Sequence, residues 1–229
     1  MSATQATALP TTPGQALPIA LYDHLTQAGR YLHRTRDEAM LRALRTQNIE
    51  ALAARRILEL GCGVGSLLKS LIAYGATPDL LAGIDPNVSH LRRARNASGA
   101  TVAVADGALL PYRDAAFDLV FIFTALSSMV DIEVRRHAAH EALRVLRPSG
   151  MVLVYDFRMN PFNSHVLPVS PSELQHIFEP HHVNIDRVTL APPLVRLLGG
   201  RDSLCRPLEH LVFLHTHMLA SITKEAIDA

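Results

Sequence analysis

Arg56-Ile-Leu-Glu-Leu-Gly-Cys-Gly-Val-Gly65 is a short apolar strand that runs straight into a glycine loop. Ser66 to Tyr74 continues as a helix. Outward from this stretch the pattern repeats. Leu80-Leu-Ala-Gly-Ile84 is a second strand, closed by Asp85-Pro-Asn87 and followed by a basic helix over Val88 to Asn96. Thr101-Val-Ala-Val-Ala105 is a third strand, ending at Asp106-Gly107, and Phe117 to Phe123 is a fourth. A long helix from Asp131 to Leu146 stops at Pro148-Ser-Gly150, and Met151-Val-Leu-Val-Tyr155 is a fifth strand that ends at Asp156. Several of these strands are unbroken apolar runs, as a sheet covered on both faces requires. Strand and helix in alternation predict a parallel sheet with helices on both sides.

The flanks read less regularly. Residues 1–18 are rich in Ala, Thr, Gln and Pro without periodicity, and predict a mobile tail. Leu21 to Ala54 has helical spacing, with Tyr31, Met40, Leu41, Leu44 and Ile49 at apolar positions and Arg30, Arg34, Arg36 and Arg42 between them. Beyond the fifth strand, Val183 to Leu190 predicts a sixth. Leu194 to about Phe213 is mostly helical, and Thr216 to Lys224 is read as a seventh strand. The expectation is one α/β domain over residues 19–229, Rossmann-like and doubly wound. Its mostly parallel sheet has seven strands, an N-terminal helical cover and C-terminal elements that shape an acceptor site.

Composition removes several function classes. Lys plus Arg number 22 and Asp plus Glu 21, a net charge of +1, which argues against a dedicated nucleic-acid binder. The chain has no Trp, so a tryptophan stacking platform is excluded. Its two cysteines, Cys62 and Cys205, form neither a disulfide framework nor a CxxC pair. His181-His182 and His215-x-His217 lack metal-ligand spacing, so no metal is expected. The apolar stretch from Phe117 to Val130 is too short and too interrupted to span a membrane. The N-terminus has no secretory pattern, so the expected location is the cytoplasm. The oligomeric state is open.

Ligands of open parallel sheets sit beyond the C-terminal strand ends. The first strand is followed there by Gly61-x-Gly63-x-Gly65, where backbone can approach a ligand without a Cβ between them. Asp85 offers a carboxylate for ribose hydroxyls and Asp106 one for an exocyclic amine. The glycines run GxGxG, with Ser66 where the nicotinamide fingerprint has its third glycine. Glu59 precedes the loop by two residues; an acid there repels a pyrophosphate and favours a cationic amino-acid group.

With these residues in view, Ile57-Leu-Glu-Leu-Gly-Cys-Gly-Val-Gly65 resembles motif I of the class I S-adenosylmethionine-dependent methyltransferases. Gly83-Ile-Asp-Pro86, Val104-Ala-Asp-Gly107, Phe117-Asp-Leu-Val120 and Leu143-Arg-Val-Leu-Arg-Pro-Ser-Gly-Met-Val152 resemble its later motifs in order and spacing. The resemblance implies S-adenosylmethionine as cofactor, with Gly61, Cys62 and Gly63 against its methionyl part and Glu59 near its amino group. It implies Asp85 on the ribose, Pro86 or Asn87 along the adenine, Asp106 on the adenine amine and the Gly107 backbone at the ring edge. Phe123 or Thr124 would line the cofactor near the methyl, and the last strand would be reversed.

The NPPY-type motif of amine methylation is absent after the fourth strand, where the sequence is Phe123-Thr-Ala-Leu126. The expected acceptor is therefore a small molecule or a glycan-like compound, methylated at a hydroxyl oxygen. Tyr155-Asp-Phe-Arg-Met-Asn160 and Val188-Thr-Leu-Ala-Pro-Pro-Leu194 give some similarity to bacterial methyltransferases of surface-glycan synthesis. A hydroxyl must lose its proton, and Asp156 and His165 are the candidate groups, with Arg158 and Tyr155 on the acceptor. The competing roles are a loop cap for Asp156 and a salt bridge for Arg158. Arg30, Tyr31 and Arg34 either cover the cofactor carboxylate or pair on the surface. Three other readings stay open: a carbon methyltransferase of quinone or polyketide type, a cofactor-binding regulatory subunit without catalysis, and a nicotinamide oxidoreductase.

Overall fold

The strand before the glycine loop, β1 (Ile57–Leu60), is buried along its whole length. It lies parallel between β2 (Leu81–Asp85) and β4 (Phe117–Phe123), with Ile57 opposite Leu81 on one side and Leu119 on the other. The computed structural model describes residues 25–159 and 167–224. β3 (Thr101–Val104), β5 (Leu146–Phe157), β6 (Val183–Leu190) and β7 (His215–Thr223) complete a seven-stranded sheet in the order β3-β2-β1-β4-β5-β7-β6. β7 is antiparallel to both β5 and β6, the reversed last strand that the motifs imply. Strand order turns back at β1, which opens a crevice above the glycine loop.

Alternation along the strands divides the core. Leu58, Leu60, Val120, Ile122, Val152 and Val154 face α4 (Ile132–Val145) and α5 (Pro171–Ile177). Ile57, Leu119, Phe121, Phe123, Leu153 and Tyr155 face α1 (Gln27–Thr46), α2 (Ser66–Ala73) and α3 (Val88–Ser98). Glu59 has the parity of Ile57, and Asp156 that of Val154. The two acids therefore lie on opposite faces of the sheet, a consequence of the two-residue strand period.

Three boundaries differ from the sequence reading. α1 begins only after Thr26, whose hydroxyl accepts from the Gly29 amide, and ends where Asn48 takes a positive φ of 57°. The Pro148-Ser-Gly150 turn lies inside β5 as an irregularity, with Ser149 at φ 61° and the register against β4 shifting between Phe117 and Leu119. The stretch from Leu194 to Phe213 is not one helix. It is mostly helical, as expected, but divided into α6 (Pro192–Leu197), α7 (Asp202–Cys205) and two 3₁₀ turns, with the break between α6 and α7 at Gly199 and Gly200. The expected tail over residues 1–18 lies outside the described residues.

Candidate functional site

The turn from β1 into α2 depends on left-handed backbone. Gly61 has φ +76°, and a Cβ on it would come within 2.6 Å of the Ala125 Cβ, so only glycine lets the loop after β4 close on it. Gly65 has φ +83° and packs on the backbone of Ala94 in α3. The Gly61 and Cys62 amides donate to the Ile84 carbonyl at 2.9 and 2.8 Å, which ties the loop to the end of β2. Asp85 Oδ2 accepts from the Gly63 amide at 3.0 Å and Oδ1 from the Asn87 amide at 2.8 Å. His90 Nδ1 lies 3.3 Å from Oδ1, so Oδ2 is the oxygen that keeps a lone pair for a ligand hydroxyl.

Above this loop is a pocket. Its walls are Leu32, His33 and Arg36 of α1, Glu59, Gly61, Cys62 and Gly63, then Val64, Ser66 and Leu67, with Phe123, Thr124 and Tyr155 from the ends of β4 and β5. Glu59 is only 3% exposed, and its Oε2 has no hydrogen-bond partner. Burial pushes its carboxyl up to about 8, against the pull of Arg36 and a backbone hydrogen bond from Leu68. A buried carboxyl oxygen without a partner is costly, and Oε2 is positioned to accept from a donor or cation entering the pocket. Arg36 Nε and Nη2 both donate to Asp37 Oδ1, at 2.8 and 2.7 Å. Its guanidinium also lies 5.9 Å from the Phe123 ring centre. Burial pushes the Cys62 thiol well up, helped by Glu59 and Asp85, so Cys62 serves as a small packing residue and not as a nucleophile.

The predicted residues divide by place. Glu59, Gly61, Cys62, Gly63, Phe123 and Tyr155 share the pocket. Asp85, exposed Pro86, exposed Asp106 and buried Gly107 follow it along the ends of β2 and β3. Asp106 Oδ1 accepts from the Ala108 amide at 3.0 Å.

The expectation that Asp156 orients an acceptor is corrected. It is 0% exposed and faces away from the pocket, and its two oxygens accept from the Ser127 amide at 3.0 Å and the Phe157 amide at 2.8 Å. The carboxylate holds the loop after β4 to β5, a brace on the preceding loop rather than a cap on the one that follows. Arg158 does not reach the pocket lining either: one Nη donates to the His215 carbonyl at 3.1 Å. The hydroxyl of Tyr155 donates to Thr189 at 3.0 Å, and its ring stacks on His217 with centres 4.9 Å apart. His165 lies outside the described residues.

Arg30, Tyr31 and Arg34 each bond within the chain and none lines the pocket; Arg34 makes a surface ion pair, and Tyr31 is buried. Arg30 donates to the Leu25 carbonyl, Tyr31 to Glu209 and Arg34 to Asp202. The basic residue that α1 puts into the pocket is Arg36, with His33 beside it. Their signal was present in the sequence: Leu32, Arg36 and Met40 fall at i, i+4 and i+8, so an arginine interrupts the row of buried residues on one helix face.

The residues fit S-adenosylmethionine. The orphaned Glu59 oxygen suits an ammonium, Arg36 suits a carboxylate, and the Phe123 and Tyr155 rings suit a sulfonium. Among the described residues no group of three or more His, Cys, Asp or Glu is arranged to hold a metal ion, and no helix is long and apolar enough to cross a membrane.

Comparison with known proteins agrees with this geometry. Residues 57–150 match the family described as a methyltransferase domain. The chain is 32% identical over 116 residues to 27-O-demethylrifamycin SV methyltransferase of Amycolatopsis mediterranei, covering 48% of this chain and 41% of that protein. It is 30% identical over 154 residues to demethylmenaquinone methyltransferase of Clavibacter sepedonicus, covering 65% and 60%. The chain thus spans about half the length of these curated relatives. Among solved structures, an S-adenosylmethionine-dependent methyltransferase from Mesorhizobium loti shares the fold at TM-score 0.58 and 18% identity, over 80% of this chain and 96% of that one. Over residues 57–150 the motif order, the sheet topology and the methyltransferase-domain match agree with the class I S-adenosylmethionine-dependent methyltransferases.

Proposed function

We propose that the chain binds S-adenosylmethionine above the Gly61–Gly65 loop and transfers its methyl group to a small-molecule acceptor, first of all at a hydroxyl oxygen. The observation that carries this reading is the buried, unpartnered Glu59 oxygen beside Arg36 and the glycine loop. Glu59 accepts from the ammonium, Arg36 holds the carboxylate, and Gly61, Cys62 and Gly63 pack against the methionyl chain. Asp85 accepts from the ribose hydroxyls, Pro86 or Asn87 lies along the adenine, Asp106 accepts from its amine and the Gly107 backbone reads the ring edge. The sulfonium supplies an electrophilic methyl when bound. The chain's own contribution is alignment, which accounts for much of the rate in such a transfer. Phe123, Thr124 and Tyr155 shape the wall where the acceptor approaches. With Asp156 turned away, His33 at the pocket wall takes the hydroxyl proton.

A carbon acceptor of quinone type is the second reading, favoured by the longer of the two alignments, that with demethylmenaquinone methyltransferase. Cys62 and Cys205 are free and buried, which suits work in the cytoplasm. Calorimetric titration with S-adenosylhomocysteine and NAD tests the cofactor, and labelled-methyl transfer across hydroxyl and quinone acceptors tests the reaction. Binding of the first ligand without the second, and label on a hydroxyl, are expected. NAD binding would return the oxidoreductase reading, and cofactor binding without transfer to any acceptor would favour the regulatory one.

A further inference from the structure

Between β6 and β7 the chain inserts residues 192–214, Pro192-Pro-Leu-Val-Arg-Leu-Leu-Gly-Gly-Arg-Asp-Ser-Leu-Cys-Arg-Pro-Leu-Glu-His-Leu-Val-Phe-Leu214. This insertion has apolar residues for two surfaces. Val195 and Cys205 are buried, with Leu198, Leu208 and Leu214 packed beside them against Ala28, Tyr31 and Leu32 of α1. A second set points outward: Leu197 is 82% exposed, Phe213 69% and Val212 47%, with Leu204 and Leu211 also exposed. Isolated exposed leucines are ordinary, but this is more than an isolated case: five exposed large apolar side chains lie within one 23-residue insertion.

The charges say what it meets. Both acids of the insertion are turned to α1: Asp202 takes Arg34 and Glu209 accepts from Tyr31. Arg196, Arg201 and Arg206 are exposed and form no ion pair within 4.0 Å among the described residues, although the field of Arg206 reaches Asp202. The exposed residues of the insertion therefore include apolar side chains and these unpaired cations. A two-fold contact with a second copy would set these arginines against themselves.

We propose that this insertion docks the protein on an anionic lipid surface. Leu197, Leu204, Leu211, Val212 and Phe213 enter the boundary between headgroups and acyl chains, and the three arginines meet the headgroups. Attachment is peripheral, since α6 and α7 are one or two turns long. The proposal stands apart from the methyl-transfer reading and does not depend on it.

The chain has no tryptophan, so Phe213→Trp places a single fluorescent reporter in the patch. The full-length variant is mixed with vesicles of phosphatidylcholine alone or of phosphatidylcholine with phosphatidylglycerol, at low salt. The expected result is a blue shift and co-sedimentation with the anionic vesicles only. Changing Arg196, Arg201 and Arg206 to Ser should weaken partitioning on the order of 100-fold, at about fivefold per arginine. Circular dichroism and thermal unfolding confirm that the variants are folded. No shift with either vesicle overturns the proposal, as does equal binding to both. A shift that appears without vesicles, grows with protein concentration and accompanies a doubled mass overturns it in favour of self-association.

Discussion

Replacing Glu59 by Gln separates binding from stability, because the two should move in opposite directions. In the ligand-free fold the Glu59 carboxyl is pushed up to about 8 from an ordinary 4.5. The fold therefore holds a proton that the unfolded chain gives up between these values, and stability is lost as pH rises through that window. At pH 7 the loss amounts to about 3 kcal/mol, from roughly 2.5 units at about 1.4 kcal/mol each. Glutamine removes this cost, but its own buried amide takes back about 1 kcal/mol. The net gain of about 2 kcal/mol should raise Tm by about 4–8 °C in a chain of this size. Binding should go the other way. A charge-assisted hydrogen bond contributes about 1.5–3 kcal/mol, so S-adenosylhomocysteine should bind about 10- to 100-fold more weakly. Proton release gives a third readout. An ammonium on Glu59 should drive off about 0.9 proton at pH 7, so the wild-type binding enthalpy should depend on the buffer and that of Glu59→Gln should not. Titration calorimetry in two buffers together with thermal unfolding measures all three. A variant that binds as tightly as wild type, with the same buffer dependence, would refute the assignment of Glu59 to the ammonium. A fall in Tm would refute the burial argument.

Three further outcomes follow from the same geometry. Arg36→Met should weaken S-adenosylhomocysteine binding by about 10- to 100-fold by calorimetry, and Arg36→Lys should recover part of it, since lysine keeps the charge but loses the planar fork. Asp156→Asn should leave that affinity within about threefold while hydrogen exchange at the Ser127 and Phe157 amides speeds up by about tenfold or more, because an amide nitrogen then faces a buried N–H; slower turnover with unchanged exchange would return Asp156 to the mechanism. His217 is buried beside Tyr155 and Phe157, and its imidazole is pushed down to about 3 from 6.5. The unfolded chain takes up that proton first, so stability is lost as pH falls between these values, and His217→Phe should flatten denaturant-measured stability by about 3 kcal/mol between pH 6.5 and pH 4.

The framework was legible because it is written in local patterns. β1, β2 and β3 are apolar runs closed by Gly or Asp, β4 is an apolar run to Phe123, and the glycines at 61, 63 and 65 announce left-handed backbone without any tertiary information. Glu59, just before the loop, could be read as a partner for a cation from its charge alone. Helix faces were harder. α1 carries arginines at 30, 34, 36, 42 and 45, and only the i, i+4, i+8 row through Leu32 and Met40 singles out Arg36. The segment after β6 is mostly helical, as its sequence predicts, but where its short helices begin and end is set at Gly199 and Gly200, both in left-handed backbone, and by packing on α1.

Asp156 shows most clearly where local reading stops. Its position at the end of β5 made it a candidate base, but a strand sends alternate side chains to opposite faces, and which face holds the pocket depends on where α1 and α2 pack. From its residues alone, the chain determined its sheet, its loop and the acids at its strand ends, because each follows from the conformational and charge preferences of neighbouring residues. The tertiary structure decided which side of the sheet is the site. It brought Arg36 and His33 over the loop from far away in sequence and turned Asp156 into a brace. Those outcomes rest on helix packing and strand register, and both are properties of the assembled sheet.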